Sequence, residues 1–159
     1  PDAAATGRIV RINVSDGGVP KLGIERARVT AGGVEGDRQH DLEHHGGPER
    51  AVSVFALEII AGLCAEGHPI GPGTAGENLT VEGLAWDRVV PGARLVLEGG
   101  VELEVASYAA PCKTIAGSFI GGDSKRISQK LHAGESRVYC RVAREGEVRA
   151  GERVRLEGV

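Results

Sequence analysis

The sequence predicts a mainly β, barrel-like domain with two or three short helices. Three observations predict it. About eight short runs alternate apolar and polar residues with the two-residue period of a strand. The 25 glycines among 159 residues fall between those runs rather than in one tract, as tight turns between short strands require. Helical spacing is confined to short stretches, too few and too irregularly placed for a doubly wound sheet.

In chain order, residues 1–6 read as a frayed tail and residues 7–159 as a single domain. Gly7 to Ser15 alternates as a first strand, and Asp16-Gly17-Gly18 turns the chain. Glu25 to Thr30 is a second strand, ended by Ala31-Gly32-Gly33. Gly36 to Arg50 has no apolar periodicity and is long for a passive connection. Ala51 to Phe55 is a short β-type run. Ala56 to Glu66 then places Leu57, Ile60, Leu63 and Cys64 on one helix face, with Gly67 as the stop and Cys64 as inert core. His68 to Gly73 is a rigid loop, and Gly76 to Gly83 a turn plus strand. Arg94 to Glu98 and Val101 to Ser107, separated by Gly99-Gly100, form the clearest hairpin. Its second strand leads directly into Pro111-Cys112. Asp123 to His132 reads as a second helix, capped by Asp123 or Ser124, with Ile127 and Leu131 as its buried stripe. Arg137 to Arg144 and Arg153 to Glu157 are the last strands, joined through Glu145-Gly146-Glu147 and Ala150-Gly151-Glu152, and Cys140 faces the core or barrel interior.

Composition narrows the function. Nineteen Lys and Arg against 22 Asp and Glu give a net charge of −3, which is no global signature for nucleic acid. Aromatics at 3% leave little for base stacking. No apolar run approaches the roughly 18 residues a membrane span needs, and the first residues lack the pattern of a signal peptide. Three cysteines, at 64, 112 and 140, form no CxxC pair, so the reading is free thiols in a reducing, cytoplasmic setting.

The sharpest chemical signal is Pro111-Cys112-Lys113-Thr114. A lysine beside a thiol favours thiolate, and a thiolate attacks electrophiles, carries sulfur or binds soft metals. From Pro111 to Arg141 six cations (Lys113, Lys125, Arg126, Lys130, Arg137, Arg141) face only Asp123 and Glu135, so this stretch carries +4 within an acidic chain. If the side chains converge, they attract anions. The bland alternative is a structural cysteine in a proline turn surrounded by solvated cations. The loop holding His40, Asp41, His44 and His45 offers metal-ligand types without the spacing of a known zinc motif; a substrate-binding loop or a structural turn explains it as well.

Taken together, these segments resemble the MOSC domain, named for the C-terminal domain of molybdenum-cofactor sulfurase. The matching stretches are Gly36-Asp37, then His45-Gly46-Gly47-Pro48-Glu49-Arg50-Ala51-Val52, then Gly76-Glu77-Asn78-Leu79, then Pro111-Cys112. Their order and spacing match the family over nearly the whole chain. The likeness is to small stand-alone bacterial members, without a pyridoxal-phosphate desulfurase domain or an appended ferredoxin. It implies a β-barrel of the pyruvate-kinase barrel type and a pocket for molybdenum cofactor. It makes Cys112 the sulfur carrier or molybdenum ligand and sets His45, Gly46, Gly47, Glu77 and Asn78 around the pocket. Lys113, Lys125 and Arg126 suit the phosphate of the pterin. Related members reduce N-hydroxylated compounds such as hydroxylaminopurines, which implies a small-molecule substrate and a separate electron-donor reductase. The alternatives are a non-catalytic carrier that hands sulfur or molybdenum cofactor from Cys112 to a cofactor-dependent enzyme, and an anion-binding barrel without metal.

Overall fold

The structure is a computed structural model, and it describes residues 5–17, 19–37 and 48–158. The described residues form eleven strands: β1 (Thr6–Val14), β2 (Leu22–Ile24), β3 (Arg26–Thr30), β4 (Gly33–Val34), β5 (Val52–Ala56), β6 (Leu79–Glu82), β7 (Arg94–Leu97), β8 (Glu102–Tyr108), β9 (Val138–Arg144), β10 (Gly146–Arg149) and β11 (Arg153–Glu157). Helix α1 (Leu57–Ala65) lies between β5 and β6, and several short 3-10 turns lie in the connections between other strands.

Seven strands close into a barrel in the order β11-β7-β8-β9-β5-β6-β1, with β1 returning to β11. Strand β1 makes the closure possible because its nine residues serve several neighbours. Thr6 to Arg8 pair with β11, Arg8 to Ile12 with β6, and Ile12 to Val14 with β2. The β5–β6 pair is parallel. A parallel pair needs a crossover, and α1 supplies it. Strands β10, β3 and β4 form a second, three-stranded sheet. Each barrel strand buries apolar residues: Ile9, Ile12, Val54, Leu79, Leu95, Leu103, Val138, Cys140 and Val154 are all almost fully buried. That is the alternation a closed barrel imposes, with one face of each strand filling the interior.

The expected mainly β barrel is therefore the observed fold, and the expected β7–β8 hairpin forms, with Leu95 opposite Leu103. Three expectations are corrected. The second helix does not form: Asp123 to His132 contains one 3-10 turn (Ser124–Ile127), no side chain caps it, and the backbone turns extended at Ser128. Ile127 is fully buried but Leu131 is 59% exposed, so the proposed stripe has one anchor instead of two. A ten-residue helix is marginal without a packed face. Second, Cys64 is exposed, not core; only Ile60 and Leu63 of its helix are buried, and its thiol donates to the Ile70 carbonyl at 2.8 Å. A stripe read from spacing cannot say how far the barrel wall extends along a short helix. Third, Gly146 to Arg149 is a strand and not a connection, because pairing with β3 buries Val148.

Candidate functional site

The Cys112 loop is set by the β8–β9 pair. Tyr108 pairs with Val138, and one residue further on Ala109 N–H donates to the Arg137 carbonyl at 2.9 Å. The chain then leaves the sheet through Ala110 and Pro111. Cys112 itself is extended (φ −138°, ψ 171°), half-buried, and starts the 3-10 turn Lys113–Ser118. The thiol is thus held at the end of a strand on an ordered turn.

Arg137 lies beneath this loop and is 3% exposed. Its Nη1 donates to the Ala75 carbonyl at 2.9 Å and its Nη2 to the Ala110 carbonyl at 3.1 Å. One side chain thereby ties the segment entering Gly76-Glu77-Asn78 to the segment entering Pro111-Cys112. Burial pulls the guanidinium below its ordinary value, opposed by the charges of Tyr139, Cys112 and Glu77. Tyr139, 7% exposed, lies on the same side of β9, with the Arg50 guanidinium 5.7 Å from its ring centroid. Burial pushes its phenol up; Arg137 and Arg50 oppose that shift, and the Cys112 sulfur adds to it. Cys112, Arg137, Tyr139 and Arg50 therefore form one electrostatic group.

The Gly76-Glu77-Asn78 turn faces inward. Gly76 has φ +81°, and a Cβ there would sit 3.3 Å from the Val19 side chain, so both conformation and space select glycine. Glu77 is fully buried; its Oε2 accepts from Gly73 N–H at 3.1 Å and from the Thr80 hydroxyl at 2.9 Å. Its Oε1 has no hydrogen-bond partner, and neither has Nε of Arg137. Burial raises the Glu77 carboxyl above its ordinary value, despite those two bonds and the charge of Arg137. Below the ordinary value of 4.5 the group is protonated both folded and unfolded. As pH rises past it, the unfolded chain ionises first, so the contribution of Glu77 to stability falls until the folded group ionises too. Glu77→Gln removes this slope. Urea unfolding at pH 5 and pH 8 is expected to show the variant gaining on the wild type at the higher pH; parallel curves would mean that Glu77 ionises freely.

Asn78 is also fully buried and braces three segments. Its Oδ1 accepts from Ser53 N–H at 3.0 Å, and its Nδ2 donates to Asp37 Oδ2 at 2.8 Å. Asp37 also takes the buried Lys21 ammonium at 2.8 Å; Arg38 lies outside the described residues. So do His40, Asp41, His44, His45, Gly46 and Gly47. Among the described residues no three His, Cys, Asp or Glu side chains converge as a metal-ligand set.

Lys113 and Lys125 are exposed on the 3-10 turns that follow Cys112. Arg126 is occupied by carboxylates: Nε and Nη2 bond Glu66 at 3.0 and 2.7 Å, and both Nη atoms bond Glu135 at 3.1 Å. The two acids raise the guanidinium further, and Arg126 holds Glu66 below the ordinary carboxylate range. This cluster staples the Cys112-proximal segment to the end of α1. Arg126→Ala is expected to lower Tm in dilute buffer and to lower it less in 1 M salt, where the Debye length is about 3 Å. A salt-independent loss would point to packing instead.

Among the described residues, the Gly76-Glu77-Asn78 and Pro111-Cys112 segments are thus joined through Arg137, next to the β8–β9 pair. A family model for the MOSC domain matches residues 41–155. The chain belongs to the MOSC domain family. Within the family it is similar to the YflK protein of Bacillus subtilis, 35% identical over 124 residues, which are 77% of this chain and 54% of that protein. The chain spans about half the length of that relative. Among solved structures it is similar to the YuaD protein from Bacillus subtilis, with TM-score 0.77 and 17% identity over 97% of both chains. It is also similar to YiiM from Geobacillus stearothermophilus, with TM-score 0.70 and 24% identity over 96% of this chain and 75% of that one. At these identities the likeness is one of fold.

The sequence of this MOSC domain singles out Cys112 and counts Arg137 among the cations near it in the chain, but does not mark Tyr139 and Arg50 as its companions. The alternation of β9 does put Arg137 and Tyr139 on the face opposite Cys140. What the chain does not spell out is that β9 pairs with the strand leading into Cys112, which turns that outer face into the floor of the site. No helix among the described residues is long and apolar enough to cross a membrane.

Proposed function

We propose that this MOSC protein binds molybdenum cofactor through Cys112 and reduces N-hydroxylated small molecules with electrons from a separate reductase. The observation that carries the reading is the setting of Cys112: a half-buried thiol on an ordered turn, directly above a buried guanidinium. The donor set fits the cofactor. A thiolate is a soft ligand suited to molybdenum. The Arg137 guanidinium, whose Nε has no hydrogen-bond partner, adds a buried cation that interacts with the Cys112 sulfur. Lys113 and Lys125, exposed on the adjoining turns, would hold the pterin phosphate, as lysine does elsewhere by acting as a point charge.

Bound molybdenum would supply the two-electron chemistry that the side chains at the site lack. The chain's own residues do the rest. Pro111 and the Arg137–Ala110 bond hold the sulfur in place, while Arg137 keeps the floor of the site cationic. The overall reaction takes R–NHOH, two electrons and two protons to R–NH2 and water, so an external electron donor is part of the proposal.

The test is to express the chain with an intact molybdenum-cofactor pathway. Molybdenum is measured by elemental analysis and the pterin by fluorescence, followed by turnover of an N-hydroxylamine with a supplied reductase. Loading with turnover supports the proposal. Loading without turnover would turn the protein into a carrier, and absence of both metal and pterin would overturn cofactor binding.

A further inference from the structure

The buried guanidinium of Arg137 has more work available to it than holding a loop. Two of its nitrogens are spent on the carbonyls of Ala75 and Ala110, each at the root of one motif-bearing loop. Its Nε has no hydrogen-bond partner, although the side chain is 3% exposed. A buried cation with an unmet donor is costly unless a negative charge sits near it. Two neighbours bear on it: Glu77, whose Oε1 also lacks a partner, and the Cys112 sulfur. Among the other cations, Arg50 lies over the Tyr139 ring, Arg126 is bound by two carboxylates, and Lys113 is exposed and therefore screened by salt. Among the described residues, Arg137 is thus the cation near Cys112 that solvent cannot screen.

We propose that Arg137 is the positioning residue of the Cys112 site, and that its unscreened charge makes the site prefer anionic over neutral partners of the same size. The guanidinium fixes the loop that carries the sulfur and sets the potential at the sulfur. The preference belongs to the chain itself and exists before any cofactor is loaded. The inference rests on Cys112 being the reacting sulfur of the proposed function; it does not depend on which metal or pterin the sulfur meets.

The probe is a pair of thiol reagents that differ in charge but little in shape, iodoacetate and iodoacetamide. Each forms an S–C bond and expels iodide. Dividing one alkylation rate by the other cancels accessibility and thiolate fraction, both of which a purely structural role would alter. The measurement uses the full chain with Cys64→Ser, since Cys64 is exposed whereas Cys140 is fully buried. Modification of Cys112 is followed by peptide mass spectrometry at one pH and 150 mM salt. The iodoacetate-to-iodoacetamide ratio is expected to fall at least about fivefold in Arg137→Met, to be largely kept in Arg137→Lys, and to change little in Lys113→Ala. An unchanged ratio in folded Arg137→Met overturns the proposal. If that variant does not fold, wild-type protein decides: the ratio at Cys112 is expected to exceed the ratio at exposed Cys64, and equal ratios overturn it. Failure of molybdenum loading leaves these ratios untouched, so the two readings fail separately.

Discussion

Cys112→Ser is expected to abolish molybdenum loading while leaving the barrel folded. The substitution preserves shape, and the half-buried side chain lies outside the hydrophobic core. Its cost to stability is therefore of the order of 0.5 kcal/mol, or about 2 °C in Tm for a chain of this size. The chemical change is much larger. A serine hydroxyl stays protonated at neutral pH and offers a hard oxygen where molybdenum would take a soft sulfur. The same change removes the nucleophile that a sulfur carrier needs, so it silences the carrier reading as well. Elemental analysis of wild type and variant, prepared in parallel, checks the result. Full molybdenum content in the variant would move the ligand away from Cys112.

Asn78→Ala is expected to have the largest effect on stability of the substitutions considered. The Asn78 side chain is the only group that reaches Ser53 N–H, Asp37 and the Asn13 carbonyl together among the hydrogen bonds of the described residues. Alanine leaves the Ser53 donor without its side-chain partner and strips one donor from a buried carboxylate that is otherwise matched by Lys21 and Ser15 N–H. Each unsatisfied buried group costs about 1–3 kcal/mol, so the total is about 3 kcal/mol. Against a typical stability of about 5–15 kcal/mol this is a substantial fraction. Urea denaturation followed by circular dichroism measures it, and a loss below about 1 kcal/mol would show that the network relaxes around the gap.

The contrast between Asn78 and Cys112 shows how differently the motifs were legible. Both stand out in the sequence, and both were read as pocket residues. They differ in burial: Cys112 is half-buried, whereas Asn78 and Glu77 are fully buried and hydrogen-bonded within the protein. Nothing in the Gly76-Glu77-Asn78 triplet says which way it faces, since a turn of that composition serves either purpose. Arg126 is a similar case. Its place in a cation-rich stretch suggested an anion, and the anions it meets are Glu66, 60 positions away in the chain, and Glu135. A charge run gives the sign of what a region attracts, but partners distant in the chain decide whether that attraction is already spent.

By itself, the sequence determined the barrel class, the β7–β8 hairpin and the thiol at the end of its second strand. Each depends on short-range alternation, on turn glycines, or on residues adjacent in the chain. Tertiary structure alone decided that Asp123 to His132 winds into one turn instead of a helix, that Cys64 faces solvent, and that Arg137 floors the site. These outcomes depend on which strands pair and what covers them. Pairing β8 with β9 brings position 137 beneath position 112, and closing the barrel through β1 and β11 buries one face of every strand that takes part. Those are long-range contacts, and their energy comes from desolvation and from hydrogen bonds between residues that have no common local pattern.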